Sequence, residues 1–226
     1  MIVEPVILLA LLLWGTLVGL DLVSFPQAML SRPFVVAVVA GTLLGDPAAG
    51  LRVGILLELF ALDVLPVGAS WYPDYGPATV GAALYATTAD SWVTGLGVAT
   101  AIGLMGGLVG GSSLRWLRHR VARDLHEQAD ALAAGNTSAI RQLQYRSIGR
   151  DALRSAGLTA LALGLAIAAS RWLVLDPRTG AALTIVAIGC GLAAVIGGAL
   201  RSAGRGARMR WLAAGLAGGL LLLGLR

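Results

Sequence analysis

The chain has 226 residues, of which 57% are hydrophobic and only 13% charged. With a mean hydropathy of +0.81 it is too apolar for a water-soluble domain, which would carry roughly a quarter charged residues around one core; a soluble enzyme and a nucleic-acid binder are excluded. The net charge of +5, from 17 arginines and no lysine against 12 acids, is concentrated in two short stretches and reads as membrane orientation rather than as a nucleic-acid surface.

In chain order, residues 1–19 are apolar, with one early acid, Glu4, and no basic residue before Arg32. The basic n-region of a secretory signal is missing, so a retained first helix is expected. Residues 33–91 behave differently. Their apolar stretches, 34–44, 48–62 and 77–89, run 11, 15 and 13 residues, or roughly 16–22 Å as helices, less than the ~30 Å of hydrocarbon. Breakers separate them at Gly45-Asp46-Pro47, Pro66-Val67-Gly68 and from Pro73 to Pro77. Broken backbone at membrane depth is tolerated only where protein buries it or a watery cavity meets it, and short Pro/Gly-interrupted segments point to a transporter's binding site. Re-entrant or broken helices are therefore expected here, with chain reversals near Asp46 and between Pro66 and Asp74.

Residues 92–114, 156–175, 179–200 and 211–225 read as transmembrane helices. Between the first two lies a 40-residue polar segment with eight arginines, from Arg115 to Arg154, both histidines and four acids. It is expected to be cytoplasmic, helical, and interrupted near Gly135-Asn136. An even number of spans then returns the second basic loop, Arg201 to Arg210, to the same side. The fold class is an all-α polytopic membrane protein in three regions: 1–114 with the interrupted helices, 115–155 as the cytoplasmic loop, and 156–226 as C-terminal transmembrane helices. No repeat of fixed period is present.

The interrupted region holds Asp46, Glu58, Asp63 and Asp74 against one base, Arg52. A carboxylate in an apolar setting costs about 2.5–3.5 kcal/mol on insertion scales, which makes it a functional candidate by default. Glu58 has apolar neighbours through a full turn on either side, and Gly54 one turn earlier leaves space on the same face. The structural alternative for Glu58 is a pair with Arg52 or a backbone amide. Asp46 and Asp63 suit a cap or loop role. Asp74 follows Trp71-Tyr72-Pro73, and a carboxylate beside aromatic rings suits carbohydrate, accepting hydroxyl hydrogens while a ring covers the C–H face.

Other features read as structure. His119 and His126 lie seven apart on a basic amphipathic stretch, too few ligands for a metal site. Gly103, Gly107 and Gly111, with Gly106 and Gly110, mark close helix packing. Cys190, between two glycines, reads as a small packing residue. No HExxH, P-loop or nucleophile-elbow motif occurs.

The run Ser31-Arg32-Pro33, Gly41, Gly45-Asp46, Gly54, Glu58, Gly68-Ala69, Pro73-Asp74 resembles the IIC membrane component of the mannose/fructose/sorbose family of bacterial sugar phosphotransferase systems. The segment from His126 to Ile140 is similar to that family's cytoplasmic helix ending in Gly-Asn. The resemblance implies a sugar-translocating permease subunit in the bacterial inner (plasma) membrane, itself neither an enzyme nor a cofactor binder. It implies an oligomer whose partners are a hexose-like sugar, a IID-like membrane subunit and soluble IIA/IIB phosphocarriers. Carried over by position, Glu58 and Asp74 are substrate-binding residues, with Gln27 and Ala69 beside them. The chain departs from the pattern at Ser31, where the family often has His, and at Pro66, where it often has a polar residue; it also ends soon after a short last span. These departures support an alternative, a non-transporting membrane scaffold derived from the IIC fold.

Overall fold

The computed structural model describes residues 3–62, 64, 70–200 and 204–224. Those residues form α1 (Pro5–Asp21), α2 (Pro33–Leu43), α3 (Pro47–Leu62), α4 (Tyr75–Thr88), α5 (Trp92–Glu127), α6 (Ala129–Ala133), α7 (Thr137–Trp172), α8 (Pro177–Ala199) and α9 (Arg205–Gly224). By length and composition α5, α7 and α8 are long and apolar enough to cross a membrane. With α5 and α7 at 36 residues each, or about 54 Å, the apolar part of each runs unbroken into its charged part. The polar loop is thus the projecting ends of two transmembrane helices, joined by α6 and by Gly135 at φ +69°. Asn136 caps α7, its side chain accepting from the Ser138 and Ala139 amides. The expected break falls there because glycine takes the left-handed conformation freely and Asn is a strong N-cap.

The first expected reversal is present. α2 and α3 form a tight helical hairpin turning at Gly45-Asp46, where Gly45 has φ +82° and the Asp46 carboxylate accepts from the Ala49 amide at 2.9 Å, the anticipated cap. Close approach is made possible by glycine: a β-carbon on Gly50 would lie 2.2 Å from the Ala37 carbonyl oxygen, and one on Gly41 2.7 Å from that of Asp46. The space expected beside Gly54 is filled by α2, since a β-carbon there would meet Ala37 at 2.8 Å. Pro66 lies outside the described residues, as do Asp63, Val67, Gly68 and Ala69.

α4 is the centre of the molecule. Every residue from Gly76 to Tyr85 is buried, against α1, α2, α3, α5 and α7. A 14-residue helix too short to span is stable there because protein rather than lipid surrounds it. Small residues set the distances: a β-carbon on Gly81 would sit 2.4 Å from the Ala162 carbonyl oxygen of α7. The glycine face of α5 receives the broken chain that leads into α4, with Gly106 over Ala78, Gly107 over Tyr75, Gly110 over Asp74 and Gly111 over Tyr72. The packing role expected of these glycines is thereby met. Cys190 is exposed, a correction to its expected packing role; the neighbouring Gly191 makes the contact, against Leu56 and Leu59.

Candidate functional site

Asp74 precedes α4 in extended backbone, and its amide donates to the Gly107 carbonyl of α5 at 3.0 Å. That bond satisfies a backbone group stranded inside the bundle. The Asp74 side chain is fully buried. One oxygen, Oδ2, accepts from Arg154 Nη1 at 2.8 Å. The other, Oδ1, is buried and meets no hydrogen-bond donor among the described residues.

Arg154 was expected among the cations of the polar loop. Its side chain is instead only 6% exposed and turned inward: Nε donates to Asp151 at 2.9 Å and Nη1 also reaches Ser113 at 3.2 Å. Asp151, likewise fully buried, accepts from Ser24 at 2.5 Å. Sequence reading missed Asp151 and Arg154 as site residues because a charge count assigns both to water. The available signal is their i, i+3 spacing just before the apolar part of α7, which puts the acid and base on one face.

A third buried acid, Asp21 at the end of α1, holds the loop to α2 by accepting from the Ala28 amide at 2.6 Å and the Ser31 amide at 2.9 Å. Gln27 lies in that loop at φ +59°. It is exposed, and its amide donates to the Val23 carbonyl at 3.1 Å. The loop delivers Arg32 to Glu58. Their ion pair stands where the structural alternative had Arg52, while the Phe34 amide, donating to Glu58 at 3.3 Å, supplies the backbone partner which that alternative also named; Arg52 instead lies over the Trp92 ring, 5.8 Å from its centroid. Glu58 follows Leu57, which packs on Gly103, and so lies level with the middle of the apolar part of α5.

Between these features is a cavity of about 60 Å³ lined by Ser31, Arg32, Ala61, Tyr72 and Asp74, among others. It has room for about two water molecules. The structure thus brings Asp74 together with the Arg32 end of the Glu58 pair, and it places Gln27 outside the cavity lining. Ala69 lies outside the described residues. His119 and His126 are both exposed on α5, and among the described residues no cluster of three His, Cys, Asp or Glu side chains is arranged to hold a metal ion.

The sequence model described as the sorbose-specific IIC component of the phosphotransferase system matches residues 5–201. The chain belongs to this family. A fructose permease IIC component from Bacillus subtilis (strain 168) is 32% identical over 124 residues, 54% of this chain and 45% of the relative. A sorbose-specific EIIC component from Lacticaseibacillus casei is 31% identical over 74 residues, 33% of this chain and 26% of the relative. The matches thus span less than half the length of either curated relative. In fold, a solved membrane-protein structure matches with a TM-score of 0.68 at 18% identity, covering 99% of this chain and 92% of its own. The cryo-EM structure of the mannose transporter ManYZ in complex with microcin E492 matches at 0.61 and 20% identity, covering 100% and 92%. The IIC family chain is accordingly an all-helical polytopic membrane protein of the same architecture.

Proposed function

We propose that this IIC chain is the sugar-translocating subunit of a mannose-type phosphotransferase system in the bacterial plasma membrane. It binds a hexose-like sugar between the hairpin α2–α3 and the segment leading into α4, and a soluble partner phosphorylates that sugar. The observation that carries the reading is Asp74 Oδ1, a carboxylate oxygen buried without a donor among the described residues, where the other buried acids, Asp21 and Asp151, are met. Leaving such an atom unpaired costs about 1–3 kcal/mol or more, and a sugar hydroxyl supplies the missing hydrogen. Tyr72 and Tyr75 in the cavity wall offer ring surface for the C–H face. At about 60 Å³ the cavity is well below the volumes of ligand sites, ~300 Å³ and above, so sugar entry widens it.

Glu58 and Arg32 support a membrane partner. Their side chains keep 18% and 39% exposure at a depth where lipid offers no hydrogen bond; a IID-like subunit against this face would cover them, with IIA/IIB phosphocarriers completing the system. One observation favours the scaffold alternative: both acids already have an arginine partner, as structural carboxylates do. Phosphoenolpyruvate-dependent uptake with the partner subunits present decides between the two. Asp74→Asn is expected to weaken sugar binding about ten- to a hundredfold, the worth of one charge-assisted hydrogen bond, and Glu58→Gln, which lies outside the cavity lining, to weaken it indirectly by releasing Arg32 from its place in the cavity wall. Normal uptake in both variants would remove these two acids from the sugar site, and absence of uptake with the wild-type chain would assign it to the scaffold class.

A further inference from the structure

A second, larger cavity of about 610 Å³ opens at the basic end of the molecule, lined by Trp71, Tyr72, Gly111, Arg115, Arg118 and His119 among others. Its floor is one face of α5: residues 111, 115, 118, 119 and 122 recur at helical spacing, and Gly111 lets the chain at Tyr72 cross that face, since a β-carbon would sit 2.3 Å from the Tyr72 carbonyl oxygen. Arg118 braces the crossing, donating to the Ser70 carbonyl at 3.0 Å and to the Tyr72 hydroxyl, with its guanidinium 4.6 Å from the Tyr72 ring centroid. The Arg115 guanidinium has no hydrogen bond or ion pair among the described residues. Among the described residues no carboxylate lines the cavity. Tyr72 is also in the wall of the small cavity that holds Asp74.

We propose that this cavity binds a phosphate monoester, specifically the phosphorylated sugar before its release. The inference rests on the permease reading above. A neutral sugar suits the inner cavity, whose described lining holds one acid, Asp74, and one base, Arg32, both already paired, whereas a monoester carries about −1.5 to −2 charges at pH 7 and finds no unpaired cation there. Across the shared Tyr72 wall it meets Arg115 and the free donors of Arg118, which match phosphate oxygens, and the exposed Trp71 offers ring surface to its C–H face. Phosphorylation thus reverses which of two adjoining cavities the sugar prefers. A lipid headgroup offers the same phosphate chemistry from another source.

The test uses the full chain in phosphatidylcholine vesicles, with tryptophan fluorescence read against a Trp71→Phe variant to isolate the Trp71 signal. Titration with a hexose 6-phosphate should change that signal, inorganic phosphate should bind at least tenfold more weakly for want of the ring, and Arg115→Gln should weaken hexose phosphate binding at least tenfold with an unchanged melting temperature. No response, or equal affinity for inorganic phosphate, would overturn the proposal. So would a response confined to vesicles containing phosphatidylglycerol with hexose phosphate inert, which would assign the cavity to a lipid headgroup. Binding of free hexose measured in the same vesicles separates the two readings: if neutral sugar binds and its phosphate does not, this inference alone falls, and if neither binds, both fall.

Discussion

Asp74, Asp151 and Arg154 are two carboxylates sharing one guanidinium, so the trio carries a formal charge of −1 in the interior of the bundle. Both Asp151 oxygens are met, by Arg154 and Ser24, whereas Asp74 keeps one unmet among the described residues, which separates the consequences of neutralising each member. Arg154→Gln leaves two acids facing one another and should destabilise the protein by about 3–5 kcal/mol, the cost of removing one partner from a buried pair. Asp74→Asn leaves a balanced Asp151–Arg154 pair, so its thermal midpoint in mild detergent should stay within a few degrees of the wild type while sugar binding falls. Melting both variants side by side checks this; a collapse of Asp74→Asn equal to that of Arg154→Gln would make Asp74 a structural ion and nothing more.

For the elements, the interrupted helices depend on close backbone contact, and glycines at contacts differ from glycines in open space. Gly50→Ala drives a β-carbon into the Ala37 carbonyl and should cost about 1–3 kcal/mol of overpacking strain. Gly157→Ala, on α7 with nothing within 4 Å, should gain up to about 1 kcal/mol from helix propensity. Opposite shifts of the melting temperature are the expected result. Asp176 caps α8, and its carboxyl is held below the ordinary 3.8, first by the Thr179 hydroxyl and then by the Thr179 and Arg178 amides. A depressed folded value means that this contribution is present above the unfolded value and lost as pH falls through the folded one. The stability lost in Asp176→Ala should therefore be largest near neutrality and shrink in acid, as thermal melts at a series of pH values would record.

These elements also show what was legible in the sequence. The hairpin reversal was, because Gly-Asp-Pro is local turn chemistry, and so was the packing face of α5, because four-residue glycine spacing survives any change of partner. The ligation of Asp74 was not. Its arginine lies 80 residues away in a stretch whose composition reads as aqueous. Only the unbroken helix α7, carrying its charged part back into the bundle, brings the two together. Glu58 was recognised as needing a partner, but choosing Arg32 over Arg52 required the loop that Asp21 ties down.

Across the whole molecule, the contacts fix the relative direction of the helices, and charge fixes the side. Gly15 and Gly19 of α1 meet Thr159 and Ser155 of α7, so α1 and α7 are antiparallel; Gly97 of α5 meets Leu183 and Thr184 of α8 while Gly180 of α8 meets Thr94, so those two are parallel. α5 and α8 therefore both start at the end bearing Trp92 and Pro177 and finish at the end from which the arginines of α5 project. Turning Arg154 inward removes one cation from that end and leaves the other seven of the segment, so the charge asymmetry still predicts a cytoplasmic position for it. The expected labelling pattern follows, once the exposed Cys190 is replaced by alanine. A cysteine at Gln128, between α5 and α6, should react with an impermeant thiol reagent only after the membrane is opened. A cysteine at Arg178, exposed at the start of α8, should react in intact cells. The packed helices allow inversion of the whole pattern but not mixing: labelling of both positions from the same side would contradict the parallel course of α5 and α8, whereas exchange of the two results would keep the fold and reverse its orientation in the membrane.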